Sequence, residues 1–249
     1  MKNKSYIYGR HPVMEALKQR PRDIQRLYIA SGARNSRLSE VLRIAAHQDV
    51  PVVDMARRSL SDLVGEVPHQ GIVAMVTAFA YVDIAEMLAT AARRDEAPLI
   101  VVLDQIQDPH NLGAVVRSAF ALGAHGAVIP KDRACEVTPT VVKTSAGATA
   151  HLNIAQVTNL RACLEELKGA GLWVIGTVAD EAPPPDRVDF LQPTALVVGS
   201  EGKGLRPLVR KSCDVLTQIP MTAALGSLNA SVAAGIALYE AARQRRLSG

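Results

Sequence analysis

The sequence predicts an α/β protein with a smaller N-terminal domain and a larger C-terminal domain built on a mostly parallel sheet. Three observations favour this class. Short apolar runs alternate along the chain with segments whose apolar residues recur at helical spacing. After residue 98 the runs, such as LIVVL and ALVVG, are apolar throughout, which is typical of parallel strands buried on both faces. A length of 249 residues leaves room for two domains.

The predicted N-terminal domain, residues 1–79, alternates helices and strands. The first helix, HPVMEALKQ, carries a proline suited to the first helical turn. Two more helices are predicted in SRLSEVLRIAAHQD and RRSLSDLVGE. The predicted strands of this domain are RLYIA, VPVVDM and GIVAMVTAF.

Residues 80–97 combine a helical piece with a charged cluster before Pro98, and we predict a linker there. The C-terminal domain then covers residues 98–249. Its predicted strands are LIVVLD, GAVIP, HLNIAQV, WVIGTV and ALVVG. Helices are predicted from Leu112 to Leu122, with Asn111 as the N-cap, from Asn159 to Ala170, and from about Asn229 to Arg245. In the last of these helices, the residues expected to face inward are Val232, Ile236, Tyr239 and Ala242.

The positive charge of the chain is concentrated in its first third. Residues 1–80 hold 12 Lys and Arg against 7 Asp and Glu, whereas residues 81–249 hold 16 against 17. A basic N-terminal domain favours binding of a polyanion, and an ordinary solvated basic surface is the alternative. Aromatic residues make up only 4% of the chain, which leaves little material for a base-stacking platform.

Other patterns restrict the class of protein further. The N-terminus lacks the apolar segment of a signal peptide, and no apolar run is long enough to cross a membrane. The three cysteines, Cys135, Cys163 and Cys213, are far apart, so we expect reduced thiols in a cytoplasmic protein. HExxH, GxSxG and metal-ligand clusters do not occur, so neither a hydrolase nor a metal site is predicted.

Three stretches carry candidate chemistry. In DPHNLGAVVRSA, an amide and a guanidinium, from Asn111 and Arg117, follow a strand, which suits an anionic ligand at a sheet crevice. In VVGSEGKGL, three glycines around Glu201 let the backbone approach a ligand closely. In IPMTAALGSLNASVA, Ser227 and Asn229 precede the last helix. Taken singly, these stretches also fit a capped helix with a solvated arginine, a tight turn and a helix cap.

Together the three stretches, in this order, resemble the motifs of the SpoU (TrmH-type) family of S-adenosylmethionine-dependent RNA 2′-O-methyltransferases. YIYGRHPVMEAL and HQGIVA resemble the accessory RNA-binding domain of that family. The resemblance implies a deep trefoil knot in the C-terminal domain, a cofactor pocket formed by the knot, and a homodimer. It is strongest to members that methylate a guanosine of 23S rRNA. A tRNA or other rRNA target, or a non-catalytic RNA-binding assembly factor, is the alternative.

The resemblance also implies roles for individual residues. Those expected to contact S-adenosylmethionine are Gly199, Ile219, Leu228, Thr177 and Met221. Those at catalytic and substrate-binding positions are Asn111, Arg117, Glu201, Ser227 and Asn229. Our hypothesis is that Arg117 holds the target phosphate and polarises the ribose 2′-OH, while Glu201 and Asn111 order that site. DNA lacks this hydroxyl and is not an expected substrate. Ala223 departs from the glycine that is common in the family.

Overall fold

The computed structural model describes residues 4–19, 21–32, 38–77, 79–222 and 226–248. Ala223, the departure from the family pattern, therefore lies outside the described residues. The chain forms two compact units that meet in sequence between Ala80 and Tyr81. Among the described residues, none of the helices has both the length and the apolar character needed to span a membrane. All three cysteines are free thiols.

The first unit is a four-stranded sheet covered by helices. Its elements are β1 (Lys4–Tyr8), α1 (Arg10–Gln19), β2 (Ile24–Ala30), α2 (Ser39–His47), β3 (Val52–Met55), α3 (Arg57–Val64) and β4 (Ile72–Thr77). The strand order is β1-β4-β2-β3, with β4 antiparallel to both of its neighbours. Residues of α1 and α2 form the main core with the sheet, because their apolar stripes, including Val13, Leu17 and Val41, are fully buried. Strand β1 was not predicted.

The second unit is built on a parallel sheet. Its elements are α4 (Ile84–Arg93), β5 (Leu99–Asp104), α5 (Pro109–Ala121), β6 (Gly126–Pro130), α6 (Pro139–Thr144), β7 (Asn153–Val157), α7 (Leu160–Gly169), β8 (Trp173–Val178), β9 (Thr194–Gly199), α8 (Pro207–Lys211), β10 (Val215–Gln218) and α9 (Ala230–Ser248). The strand order is β10-β8-β9-β5-β6-β7, and every pair is parallel. The predicted α/β class is confirmed; the trefoil knot stays a prediction.

The order of the strands creates a crevice between β5 and β9. From β5 the chain moves outward through β6 and β7, then crosses to β8 and returns through β9 to lie beside β5. Asp104 and Gly199, the last residues of these two strands, are register partners. In open parallel sheets, ligands bind at the carboxyl ends of the strands where the order reverses. A ligand site is therefore expected at the loops that follow β5 and β9.

Residues 81–97, predicted as part of a linker, belong to the second unit. Asp83 caps α4 by accepting a hydrogen bond from the Glu86 amide. Met87 is fully buried in the core, and a Cβ atom at Gly126 would lie 2.4 Å from its sulfur. Because Met87 fills the space beside a glycine of β6, α4 is part of the packed domain.

Helix α9 faces its neighbours with a different side from the one predicted. Val232, Ile236 and Tyr239, expected to face inward, are 48%, 39% and 55% exposed. The side chains that are buried are Ala230, Ala234, Ala237, Leu238 and Ala241. These small side chains allow α9 to lie close to α5, so the larger apolar residues remain on the outside.

Arg245 fastens the far end of α9 to the rest of the unit. Its guanidinium donates hydrogen bonds to the backbone carbonyls of Ala97, Pro98, Phe190 and Gln192. A planar group with five N–H donors is well suited to several carbonyls at once. The contact joins α9 to the segments that precede β5 and β9.

Candidate active site

Asn111 was predicted to be the N-cap of α5, and this prediction is wrong. Asn111 lies inside the first turn of the helix. Asp108 is the N-cap residue, and its side chain accepts a hydrogen bond from the His110 amide at 2.9 Å. Pro109 follows in the first turn, where its fixed φ is compatible with a helix. Because Asp108 has the capping function, the side chain of Asn111 is available for other contacts.

The loop after β9 is a tight turn made possible by glycines. Gly199 is buried, and a Cβ atom there would lie 2.3 Å from the carbonyl carbon of Gly204, so no side chain fits. Gly202 and Gly204 adopt positive φ angles of 74° and 63°, which favour glycine. The Gly204 amide donates to the Ser200 carbonyl at 2.9 Å and closes the turn. Glu201 stands at the tip of this turn.

Asn111, Glu201 and Asn229 form one hydrogen-bonded cluster. The Asn111 amide nitrogen donates to Glu201 Oε1 at 2.9 Å, and Asn229 Nδ2 donates both to the same oxygen and to Asn111 Oδ1, the latter at 3.0 Å. The Ala230 backbone amide adds a contact to Oε1 at 3.3 Å. Three predicted site residues from three distant parts of the chain therefore meet at the crevice.

The orientation of Asn229 is fixed by its role at the start of α9. Its Oδ1 accepts from the Ser231 amide at 2.9 Å, from the Ser231 hydroxyl at 2.6 Å and from the Val232 amide at 3.3 Å. With the oxygen committed to the helix terminus, the amide nitrogen faces Glu201 and Asn111. One side chain thus caps a helix and orders the cluster.

A pocket lies beside this cluster and is lined mainly by glycine and apolar residues. The predicted residues that line it are Thr177, Gly199, Ile219, Met221, Ser227 and Leu228. Lining residues that were not predicted include Ser200, Gly202, Gly204, Gly226, Ala230 and Ala233. All described lining residues are uncharged. The Thr177 hydroxyl donates to the Val197 carbonyl at 3.2 Å, which joins the ends of β8 and β9.

A second, more polar crevice adjoins the pocket and shares Ser200 and Ala230 with it. The residues that line it are Gln105, Ile106, Gln107, Asp108, Asn111, Arg133, Ser200, Glu201, Lys203 and Ala230. Arg117 is exposed on α5, and it is not among the described residues that line either space. Neither Arg133 nor Lys203 was predicted from the sequence as a candidate site residue, yet both line this crevice. The position of KDRA directly after a predicted strand was the signal that could have identified Arg133.

Many α/β proteins with an open parallel sheet bind a nucleotide-like ligand at such a switch point. The neutral, glycine-lined pocket and the polar crevice form a candidate ligand site at that position. Comparison with known families agrees with this class. The model of the SpoU rRNA methylase family matches residues 98–239, and the model for RNA 2′-O ribose methyltransferase substrate binding matches residues 6–82. The chain belongs to the SpoU rRNA methylase family.

Similar proteins cover nearly the whole chain. YacO of Bacillus subtilis, assigned to the TrmH family of tRNA/rRNA methyltransferases, is 42% identical over 98% of this chain and 97% of its own. RlmB of Pseudomonas putida, a 23S rRNA (guanosine-2′-O-)-methyltransferase, is 40% identical over 97% of both chains. The structure of the SpoU methyltransferase AviRb from Streptomyces viridochromogenes, in complex with the cofactor AdoMet, has a TM-score of 0.64 at 30% identity and covers 99% of this chain and 92% of its own.

Proposed function

We propose that this protein transfers a methyl group from S-adenosylmethionine to the ribose 2′-oxygen of a guanosine in 23S rRNA. Support comes from the family and from the Pseudomonas putida relative, whose name describes this reaction. The observation that carries the proposal is the junction of the neutral pocket with the polar crevice, because it can hold a cofactor and a nucleotide side by side. A tRNA target is the second candidate, favoured by the tRNA/rRNA assignment of the Bacillus subtilis relative.

The neutral pocket fits S-adenosylmethionine. Apolar walls from Ile219, Met221 and Leu228 suit the adenine ring, and Gly199, which has no side chain, lets the backbone come close to a ligand. Thr177 and Ser227 complete the proposed cofactor-binding set. When bound, S-adenosylmethionine supplies an electrophilic methyl group. The side chains of the crevice then have to orient the ribose oxygen and assist the loss of its proton.

Glu201 is among the described residues that line the crevice and Arg117 is not, so Glu201 replaces Arg117 as the proposed contact of the 2′-hydroxyl. Its Oε1 accepts the three N–H donors described above, whereas Oε2 has no hydrogen-bond partner among the described residues. A carboxylate oxygen held in this way can accept the hydrogen bond of a ribose hydroxyl and make its oxygen a better nucleophile. Asn111 and Asn229 are then positioning residues, because they fix the orientation of Glu201.

Arg117 is proposed to bind the target phosphate. Its guanidinium is exposed and has no partner among the described residues, so it is available to RNA. A planar guanidinium donates two parallel hydrogen bonds to a phosphate, which a lysine cannot reproduce. If the Arg117→Lys variant retains normal turnover, this assignment is wrong.

The first unit is proposed to supply RNA affinity. It matches the substrate-binding family model, and its excess of five positive charges, 12 Lys and Arg less 7 Asp and Glu, favours a phosphate backbone. The reaction requires the ribose 2′-hydroxyl, so RNA and not DNA is the proposed substrate. Since ribosomal RNA is the proposed target, we place the reaction in the cytoplasm.

A homodimer through the second unit is also proposed. Val232, Ile236 and Tyr239 form an exposed stripe along α9 at helical spacing, and Phe120 of the neighbouring helix is 41% exposed. Large apolar side chains grouped on one face are typical of an interface with another chain. A second copy of this chain is the proposed occupant.

The test is transfer of labelled methyl groups from S-adenosylmethionine to total RNA from cells that lack this protein. The RNA is separated into rRNA and tRNA, digested, and analysed for 2′-O-methylnucleosides. Label in 23S rRNA as 2′-O-methylguanosine is the expected result. Label in tRNA supports the second candidate, and absence of label from both fractions refutes the proposed activity on free RNA.

A further inference from the structure

Two cations line the polar crevice without a role in the mechanism proposed above. Arg133 follows β6, and Lys203 lies in the turn after β9. Neither side chain has a hydrogen-bond or ion-pair partner among the described residues, although Asp108 and Glu201 line the same crevice. A crevice with two unpaired cations at its wall is suited to an anionic ligand.

The loop that carries Arg133 is held in an uncommon conformation. Its φ angle of 57° lies in the left-handed region, which residues other than glycine seldom adopt. Two contacts tie the loop to the segment after β5: the Cys135 amide donates to the Ile106 carbonyl at 2.8 Å, and the Gln107 side chain donates to the Arg133 carbonyl at 3.4 Å. Strained backbone kept in place by its surroundings is concentrated at functional sites.

Lys203 is positioned by the same turn as Glu201. Its backbone amide donates to the Glu201 carbonyl at 2.9 Å, and left-handed glycines stand on both sides of it. The lysine backbone is therefore fixed relative to the carboxylate. Any RNA that brings a ribose to Glu201 also brings its negatively charged backbone towards that carboxylate, which repels it. Nearby cations are needed to offset this repulsion.

We propose that Arg133 and Lys203 form a phosphate subsite that binds the RNA phosphodiesters next to the target ribose. The inference rests on the proposed function and deepens it. The guanidinium of Arg133 provides a bidentate contact, and the ammonium of Lys203 acts as a point charge. The two residues determine how the nucleotide is seated in the crevice, and neither is among the described residues that line the pocket proposed for the cofactor.

Neutral variants of near-equal length test the subsite. Arg133→Gln and Lys203→Gln are compared with Arg161→Gln on α7 and Lys211→Gln on α8, whose side chains are exposed and unpaired among the described residues. Each purified full-length protein is measured for methyl transfer to RNA, for S-adenosylmethionine affinity by calorimetry, and for RNA binding at several salt concentrations without cofactor.

We expect each subsite variant to raise KM for RNA about tenfold, as for a lost contact to a charged group. The slope of log affinity against log salt should become shallower by about 0.7 to 0.9 for each lost phosphate contact. The affinity for S-adenosylmethionine should stay unchanged, and Arg133→Lys should restore the salt slope but not the full KM. Unchanged KM and salt slope in both variants, or equal losses in the two controls, would overturn the subsite.

Failure of the proposed function has a different signature. If the wild-type protein methylates no RNA, yet the two variants alone reduce the salt slope of RNA binding, the subsite stands and the activity is wrong. If the wild type methylates RNA and the variants behave like the controls, the activity stands and the subsite is wrong.

Discussion

Asp104 and Arg206 are joined by two hydrogen bonds across the base of the crevice. Asp104 is fully buried at the end of β5, where Oδ2 accepts from the Arg206 amide at 2.8 Å and Oδ1 accepts from Arg206 Nε at 2.6 Å. The other end of the same loop, Gly199, is the register partner of Asp104. The turn that carries Glu201 is therefore tied at both ends to a single strand residue.

Asp104→Asn should loosen this turn. The asparagine side chain has a single acceptor oxygen, so it cannot accept both hydrogen bonds from Arg206. Loss of a hydrogen bond to a charged group lowers the free energy of unfolding by about 2 kcal/mol. Because the turn lines the proposed cofactor pocket, affinity for S-adenosylmethionine should fall with stability. Denaturant unfolding and calorimetry measure the two effects, with Asp62→Asn on the exposed face of α3 as the control. Equal effects of both substitutions would contradict this role.

Asn229→Asp should separate helix capping from catalysis. Aspartate caps helices as well as asparagine does, so the contribution of the cap to the free energy of unfolding should change by less than about 0.5 kcal/mol. The substitution removes both N–H donors and places a second carboxylate against Glu201. Loss of positioned donors at an active site lowers kcat by roughly 10² to 10³. A variant with intact methyl transfer would show that the cluster does not position Glu201.

His125 should make the fold sensitive to acid. Its ring is buried, and burial lowers the pKa of the imidazole below its ordinary value, although the hydrogen bond to Glu96 opposes this shift. Nδ1 accepts from the Leu99 amide at 3.0 Å and so requires the neutral ring. The unfolded state therefore binds a proton on His125 more tightly than the folded state does. The contribution of the neutral ring to the free energy of unfolding is present above about pH 6.5 and is lost as the pH falls through the folded pKa.

Unfolding free energies measured between pH 5 and pH 8 check this expectation. The wild type should lose stability as the pH decreases below about 6.5, and His125→Asn should show a flatter profile at lower overall stability. If both proteins have the same pH dependence, another group is responsible.

Ile236→Asp should abolish the proposed homodimer. The substitution places a charge at the centre of the exposed stripe on α9, where burial in an interface would cost several kcal/mol. Sedimentation should then show a monomer, while Leu208→Asp, at a residue of α8 that is 60% exposed, should leave the dimer intact. A wild-type protein that sediments as a monomer would refute the dimer itself.

Local patterns predicted most strands and helices of both units, because alternating apolar runs and amphipathic segments depend on neighbouring residues. They did not identify β1 or β10, which are short and stabilised by partners distant in sequence. Helix α9 shows a related limit. One face carries small apolar side chains and another carries large ones, and packing against α5 and β9 buries the alanines.

The candidate site was predictable where a motif contains the residue, as for Glu201 and Asn229. The contacts of these residues were not predictable, because they depend on how separate segments meet. The N-cap of α5 was assigned to Asn111, whereas Asp108 before a proline is better suited to it. That difference matters for the site, since it leaves the Asn111 side chain to bind Glu201.

Helix α9 supplies Ala230 and Ala233 to the pocket, and Arg245 fastens its far end to carbonyls that precede β5 and β9. The pocket is thus incomplete without the last helix of the second unit. A growing chain therefore lacks a complete pocket until α9 has been synthesised and has packed against the rest of the unit.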